Sequence, residues 1–451
     1  MDYLPSVREP TKKLDLKTKF LWTGVALVIY FALSFIPLYG LSANYKSQFE
    51  ALAVLLAASF GSVISLGIGP IVTASIILQL LTSAGIVKLD VSTEEGKKKY
   101  SAINKVFGIV FIVFENALYV MSGALPSQTG SAFNISIMIL QLILGGLLLL
   151  FLDEVTTKWG IGSGISLFIA AGVGVQIISS GLSPFTDPTN PTLPTGAVYK
   201  VFALAFQGLF NEAFWPLMGI LATIIVFVLA VYLQSVKIEI PLSFGRVRGT
   251  AIKWPLKFIY TSNMPVILTA AFIASLQFWG LMMFNIGLPV LGYFEPDANG
   301  QMVAVSGLAR YINPPTLRTL ITQFNSADVT SFFVYLAMMT IGSTLFSVMW
   351  VLIGNQDSGS VADQILNSGL QVPGFRRDKR TIERLLNRYI MPLTVLGGFS
   401  VGVLAAVADL LGALSRGTGI LLAVIIIYQF YEQISKESME DAHPLLQKFF
   451  K

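Results

Sequence analysis

Residues 133–152 read Phe-Asn-Ile-Ser-Ile-Met-Ile-Leu-Gln-Leu-Ile-Leu-Gly-Gly-Leu-Leu-Leu-Leu-Phe-Leu. The run carries no charge, and Asp153 follows it at once. A helix of ~20 mainly apolar residues matches the ~30 Å hydrocarbon core of a bilayer. In water it would be apolar on every face, with no polar stripe for solvent. It reads as a membrane span, and the reading extends outward along the chain. Further candidate spans are 20–38, 67–85, 103–124, 163–181, 214–234, 259–280, 330–352, 388–409 and 416–433. Ten spans put both termini on one side of the membrane.

Composition agrees. Of 451 residues, 54% are hydrophobic and 12% charged, against the ~25% charged of soluble domains. Cysteine is absent and the one histidine, His443, lies in the C-terminal tail. Disulfides, thiolate metal sites, cysteine nucleophiles and a Ser–His dyad within the membrane are therefore excluded. The polar start, with Lys12, Lys13, Lys17 and Lys19, leads into 20–38, which reads as a retained first helix rather than a cleaved signal. Of 30 Lys and Arg, 25 fall on the side of the termini; Lys46, Lys200, Arg310, Arg318 and Arg416 fall on the other. Cytoplasmic loops carry the basic excess, so both termini are expected in the cytoplasm.

Some stretches fit no span. Ala51–Leu66 is rich in Ala and Ser and ends at Gly67-Ile68-Gly69-Pro70, a pair of helix breakers. It reads as a short helix re-entering from outside, lining a cavity, with a surface helix on the outer leaflet as the alternative. Leu288–Phe294 and Gln301–Val305 flank Asp297-Ala298-Asn299-Gly300 and predict an external β-hairpin. The loop 182–195, with four prolines, predicts an irregular external connector. Gly162-Ser163-Gly164-Ile165 opens the fifth span and Gly417-Thr418-Gly419-Ile420 the tenth. Five is odd, so two five-helix halves would be inverted repeats with a functional path between them; simple close packing of small residues is the alternative.

Chemistry is sparse. Gly160-Ile161-Gly162-Ser163-Gly164 lacks the lysine and preceding strand of a phosphate loop. Glu115 lies mid-span, where a charge costs ~2.5–3.5 kcal/mol on insertion scales, so it needs a polar interior or a partner. Thr73 and Asn263 are candidate neighbours, either as a polar cluster at a seam that parts or as structural hydrogen bonding. Asp409 and Arg416 bracket the last outer turn and are expected to pair. Ile68 and Val72, like Ile165 and Ile169, are four apart and share a helix face. A ring of such aliphatics closes an aqueous path by dewetting, although ordinary packing gives the same periodicity. Arg246 and Arg248 in one cytoplasmic loop, and Arg376, Arg377 and Arg380 in another, suit a polyanionic partner such as ribosomal RNA as well as they suit the positive-inside rule.

These segments resemble one family in order from about residue 20 to 435. Leu66-Gly67-Ile68-Gly69-Pro70-Ile71-Val72-Thr73-Ala74 resembles the second-helix signature of the SecY family. Asp153-Glu154, then Lys158-Trp159-Gly160-Ile161-Gly162-Ser163-Gly164-Ile165, resembles its fourth-to-fifth turn. Ile240-Pro241-Leu242, Gly245-Arg246-Val247-Arg248-Gly249 and Tyr260-Thr261-Ser262-Asn263-Met264-Pro265 resemble its sixth-to-seventh loop. Pro373-Gly374-Phe375-Arg376 and Gly417-Thr418-Gly419-Ile420-Leu421-Leu422 complete the match, which is nearer to archaeal than to bacterial members and related to the alpha subunit of the eukaryotic Sec channel.

The resemblance implies an all-α integral membrane protein: ten transmembrane helices in two inverted five-helix halves, a SecY-type clamshell with a re-entrant plug helix. The divisions would be a cytoplasmic segment 1–19, a first half 20–181 with the plug at 51–65, an external connector 182–213, a second half 214–433 and a cytoplasmic tail 434–451. It implies a pore ring of Ile68, Val72, Ile165, Ile169, Ile267 and Leu422. It implies a lateral-gate polar cluster of Thr73, Glu115 and Asn263, and ribosome or motor contacts at Arg246, Arg248, Arg376 and Arg377. The expected partners are a SecE/gamma-type subunit, a small SecG/beta-type subunit, the ribosome, signal sequences, nascent polypeptides and membrane lipid. No cofactor or enzymatic activity is expected, and the location would be the cell membrane. The rival reading is an inverted-repeat secondary transporter of a small solute.

Overall fold

The structure, a computed structural model, describes residues 7–42, 57–59, 61–83, 86–87, 93–123, 125–187, 190–244, 251–261, 264–296, 302–322, 324–354, 356–367, 370–371, 378–414 and 417–442. Ten main helices run in chain order: α1 Leu16–Phe35, α2 Gly69–Ser83, α3 Glu94–Met121, α4 Ala132–Trp159, α5 Gly164–Leu182, α6 Phe210–Ser235, α7 Met264–Asn285, α8 Ser326–Ile353, α9 Lys379–Leu410 and α10 Gly417–Ala442. Among the described residues, nine of them are long and apolar enough to cross a membrane. Local caps start several: Asp15 accepts from Leu16 N–H, Thr93 from Gly96 N–H, Ser131 from Asn134 N–H and Asn325 from Ala327 N–H.

The exception is α2. Of the expected span 67–85, the described helix runs from Gly69 to Ser83, and residues 84–85 lie outside the described residues. Gly67 takes a left-handed φ of +55°, which glycine adopts without strain, and Pro70 sits in the first turn, where its missing N–H costs nothing. Residues 61–68 are turns laid against the end of α1: Leu38 N–H donates to Gly61 O at 2.8 Å and Val63 N–H to Ile36 O at 3.1 Å. Of the expected plug at 51–65, residues 57–59 and 61–65 form turns and irregular chain rather than helix, because their polar groups bond to α1 and to one another. Residues 51–56 and 60 lie outside the described residues.

Packing divides the helices by environment. On α6, Leu217, Leu221, Ile224, Ile225 and Val228 are exposed, which is what lipid as solvent allows. α7 is buried on nearly every side, including Ile267, Leu268, Ala271 and Ala274. α8 and α9 approach backbone to backbone. A Cβ on Gly398 would stand 2.9 Å from Ser343 O and one on Gly402 2.7 Å from Met339 O, while one on Gly397 would stand 2.7 Å from Phe258 O in the chain before α7. Small residues of this kind allow the close contact that association in lipid depends on.

The loops hold more structure than the sequence suggests. The Pro-rich connector is a hairpin, β1 Thr186–Asp187 against β2 Asn190–Pro194, followed by a short helix Ala197–Phe206. Proline is tolerated there because a two-stranded ribbon is all edge. The external hairpin forms as expected but pairs β5 Phe294–Pro296 with β6 Met302–Ala304, so its first strand begins at the end of Leu288–Phe294. In the loop between α6 and α7, β3 Lys237–Phe244 pairs with β4 Ala251–Lys257; β3 also pairs with β7 Leu370–Gln371, from the loop between α8 and α9. The resulting order is β4-β3-β7. Ile240 and Leu256 of this sheet share a buried cluster with Val361, Ile365, Ile382 and Leu386.

Candidate functional site

Four helices and one turn converge on a single apolar cluster at the centre of the bundle. Ile68 sits in the turn before α2 and Val72 in its first turn; Ile169 lies on α5, Ile267 on α7 and Leu422 on α10. All five are buried, at 1%, 4%, 1%, 5% and 1% exposed. Ile165, also on α5, packs against the same cluster and is partly buried. Five of the six expected ring residues thus belong to one large buried cluster and the sixth packs against it. A cavity of about 390 Å³ lies beside them, lined by Val72, Ile165 and Ile267 and by the polar Ser75, Gln79 and Asn104. Gln79 Oε1 and Asn104 Oδ1 are buried with no hydrogen-bond partner in the protein. Buried acceptors require a partner, and a space of this size is large enough for water to supply it. The arrangement is a mainly apolar cavity that carries a few polar groups and is bounded in part by Val72, Ile165 and Ile267.

Two carboxylates that the ring expectation omits hold two of its helices. Asp153, on α4, accepts from Ile165 N–H at 2.9 Å and from the Ser163 hydroxyl at 3.4 Å, both through Oδ1. Ser163 is the N-cap residue of α5 but makes no capping bond of its own, so α4 supplies the cap. Asp409, near the end of α9, does the same for α10: Oδ1 accepts from Thr418 N–H at 3.1 Å, and Oδ2 accepts from the Thr418 hydroxyl and from Tyr335 O–H, the latter at 2.5 Å. The expected pairing of Asp409 with Arg416 falls on a residue that lies outside the described ones. The carboxylate is engaged by a helix N-terminus that offers bare N–H groups. The glycines fit the contact. A Cβ on Gly164 would stand 2.6 Å from Asp153 Cα, and one on Gly417 would collide with Ala408. The sequence echo also shifts: α5 opens at Gly164 and α10 at Gly417, two residues off the motif register. In the helical register Ile165 matches Thr418, and Ile169 matches Leu422.

A polar seam runs where α2 and α3 meet α7. Thr73 Oγ1 lies 3.1 Å from Ser275 Oγ and donates to Gly69 O at 3.0 Å. Glu115, 3% exposed, has Thr73 and the Trp279 indole within reach of its carboxyl, yet its Oε1 has no hydrogen-bond partner. One turn on, the Tyr119 and Phe278 rings lie 5.1 Å apart. Two of the three expected seam residues, Thr73 and Glu115, are therefore together, and Asn263 lies outside the described residues. Ser275 and Trp279 are the partners that sequence reasoning missed. Their four-residue spacing on a span already expected to face the seam was the available signal.

Arg246, Arg248, Arg376 and Arg377 all lie outside the described residues. The strands that carry their loops are described, and β3 binds the two loops into one sheet. The root of that sheet is fixed to α10, where Lys257, the last residue of β4, pairs with Glu432. Nearby, Tyr260 O–H donates to Gln356 O at 2.8 Å. Lys19 of α1 pairs with Glu437 of α10 at 2.9 Å. Among the described residues no group of three or more His, Asp or Glu side chains could hold a metal ion.

Comparison with known proteins gives the following matches. A family model described as SecY matches residues 62–431, and one described as the plug domain of Sec61p matches residues 28–61. The second overlaps the expected plug over 51–61. The chain is 44% identical over 453 residues to the protein translocase subunit SecY of Methanothermobacter thermautotrophicus, covering 99% of this chain and 96% of that one. It is similar to a solved protein-conducting channel, with a TM-score of 0.84 and 37% identity over 98% of each chain. It is also similar to Sec61 in the canine ribosome–channel complex from the endoplasmic reticulum, with a TM-score of 0.83 and 36% identity over 98% of this chain and 97% of that one.

Proposed function

The chain belongs to the SecY family, and on that premise we propose that Ile68, Val72, Ile165, Ile169, Ile267 and Leu422 are the constriction through which it passes polypeptide. It is a multi-pass membrane protein and the pore-forming subunit of a protein translocase, not an enzyme. The observation that supports the ring assignment is that these six residues belong to or pack against one buried apolar cluster, with Val72, Ile165 and Ile267 also lining the cavity beside it.

In this reading the halves are α1–α5 and α6–α10, and the seam of Thr73, Glu115 and Ser275 is the gate by which a signal sequence reaches lipid. Asn263 completes the gate. The segment at 51–65 plugs the closed pore. Arg246, Arg248, Arg376 and Arg377 meet the ribosome on the cytoplasmic face; the mutual pairing of their loops supports one shared docking platform. A SecE/gamma-type subunit clamps the halves and a SecG/beta-type subunit completes the channel in the cell membrane. The basic excess of 25 in 30 on the side of the termini supports cytoplasmic ends. The protein supplies a path and a seal, and energy comes from the partner that feeds the chain.

The absence of cysteine allows a direct test. Single cysteines are placed at Ile68, Ile165 and Leu422, with a control at Leu148, which is 46% exposed on the outside of α4. A secretory chain with one cysteine is stalled midway and oxidised. Crosslinks at the three ring positions and none at Leu148 are expected. A stalled chain that crosslinks to none of the three removes the ring assignment.

A further inference from the structure

We propose that Asp153 and Asp409 are a matched pair of positioning residues that set the height of the ring-bearing helices from opposite ends of the bundle, and so hold the closed ring in register. The proposal rests on the ring reading given above.

The two helices share a pair of contacts, and Asp409 in addition accepts Tyr335 O–H. Each carboxylate belongs to the helix just before the one it holds, and each accepts the second amide of that helix, Ile165 in α5 and Thr418 in α10. Each also accepts a hydroxyl at the helix start, from Ser163 or Thr418. From the held amide to the buried ring residue is the same step of four, Ile165 to Ile169 and Thr418 to Leu422, one helical turn or ~6 Å of rise. On α5 the held amide belongs to a ring residue itself. The turns before α5 and α10 are five spans apart, so the two fixings act from opposite faces of the membrane. A bare helix N-terminus with its partial positive charge attracts a carboxylate, and such a bond is short-ranged and directional. It therefore resists sliding of the helix along its axis. Leucine and isoleucine contacts in the ring resist sliding weakly, because dispersion has no preferred direction. The aliphatic ring closes the path, and the two carboxylates fix the level at which it closes.

The test uses the assembled channel reconstituted in vesicles, with one thiol placed in the cysteine-free chain by Ile169→Cys or Leu422→Cys. The readout is the rate at which a membrane-impermeant thiol reagent labels the idle channel. Asp153→Ala should raise labelling at position 169 about tenfold, the effect of losing one hydrogen bond to a charged group. It should leave position 422 unchanged. Asp409→Ala should do the reverse. Asp153→Asn keeps an acceptor and should return labelling at 169 most of the way to the parent rate. If an alanine variant does not assemble, Ser163→Ala and Thr418→Val remove the hydroxyl half of each contact and should give the same crossover at smaller size. Equal rises at both positions whichever carboxylate is removed would mean general loosening and would overturn the proposal, as would no rise at all. The ring reading is checked separately: Ile169→Gly with Leu422→Gly should raise idle ion conductance. If it does and no crossover appears, the positioning claim alone falls; if it does not, the ring assignment falls with it.

Discussion

Replacing Glu115 by leucine tests the seam most directly. In the structure the carboxyl is 3% exposed and its Oε1 has no partner. A buried acceptor left unsatisfied costs ~1–3 kcal/mol. That cost belongs to the closed state, since a parted seam offers the carboxyl water or the backbone of an entering signal. The favourable reach of Thr73 and Trp279 returns about one ordinary hydrogen bond, ~1 kcal/mol. Leucine removes both and adds apolar contact with Tyr119 and Phe278. The closed state should gain ~1–2 kcal/mol, a factor of ~5–30 in the closed-to-open ratio. The assay is export of two precursors into vesicles, one with a strongly apolar signal and one with a weak signal. Export of the weak precursor should fall by a large part of that factor. The strong one, whose binding outweighs the shift, should change little. Glu115→Gln keeps the size and hydrogen-bonding groups and should stay near the parent. Unchanged or faster export of the weak precursor by Glu115→Leu would refute the view that the closed seam carries an unsatisfied polar cost.

Three further outcomes follow from packing and charge. Gly398→Ala puts a Cβ 2.9 Å from both Ser343 O and Ser347 Cβ and should destabilise the bundle by ~1–3 kcal/mol. Gly24→Ala, with nothing within 4 Å, should be neutral or slightly stabilising, and equal thermal midpoints for the two would contradict the packing argument. Leu386→Ala empties a site that is 0% exposed beneath the loop sheet. It should cost ~2–5 kcal/mol, seen as faster amide exchange in β3 and β4. Glu154 pairs with Lys105 at 2.6 Å and Lys158 at 3.0 Å, and Lys158 also holds Val7 O. Glu154→Gln should therefore speed amide exchange at residues 7–9, and protection unchanged there would show that Lys158 needs no carboxylate to hold the segment.

What the sequence made legible follows from range. Membrane spans are a local property of ~20 residues, and nine of the ten expected spans overlap a long apolar helix, with some ends displaced by up to nine residues. The remaining helix starts two residues later than expected, after a backbone choice at Gly67 that composition does not register. The ring was readable because aliphatic residues at a spacing of four lie on one face, and the family pattern gave the rest. The β4-β3-β7 sheet was not readable: the partner of β7 lies more than a hundred residues earlier, so no local pattern marks the pairing. Ser275 and Trp279 were missed because a lone serine and a tryptophan in an apolar span look like packing until Glu115 is seen opposite. Asp153 and Asp409 were visible as charges beside spans. Their roles were hidden because a cap supplied from a neighbouring helix has no fixed sequence offset: Asp153 stands eleven residues before Gly164, and Asp409 eight before Gly417.

The glycine contacts between α8 and α9 also bear on mechanics. Where backbones touch with no side chain between them, there is no layer of rotamers to shear, so two long helices respond to load as one plank. A polypeptide pushed through the channel exerts force on whatever it rubs. At Gly398 and Gly402 the close backbones leave little room for local repacking to absorb it. Compliance is left to the places where side chains meet side chains, the seam of Thr73 and Ser275 foremost. Stiffness on one flank is thus what confines strain to the other.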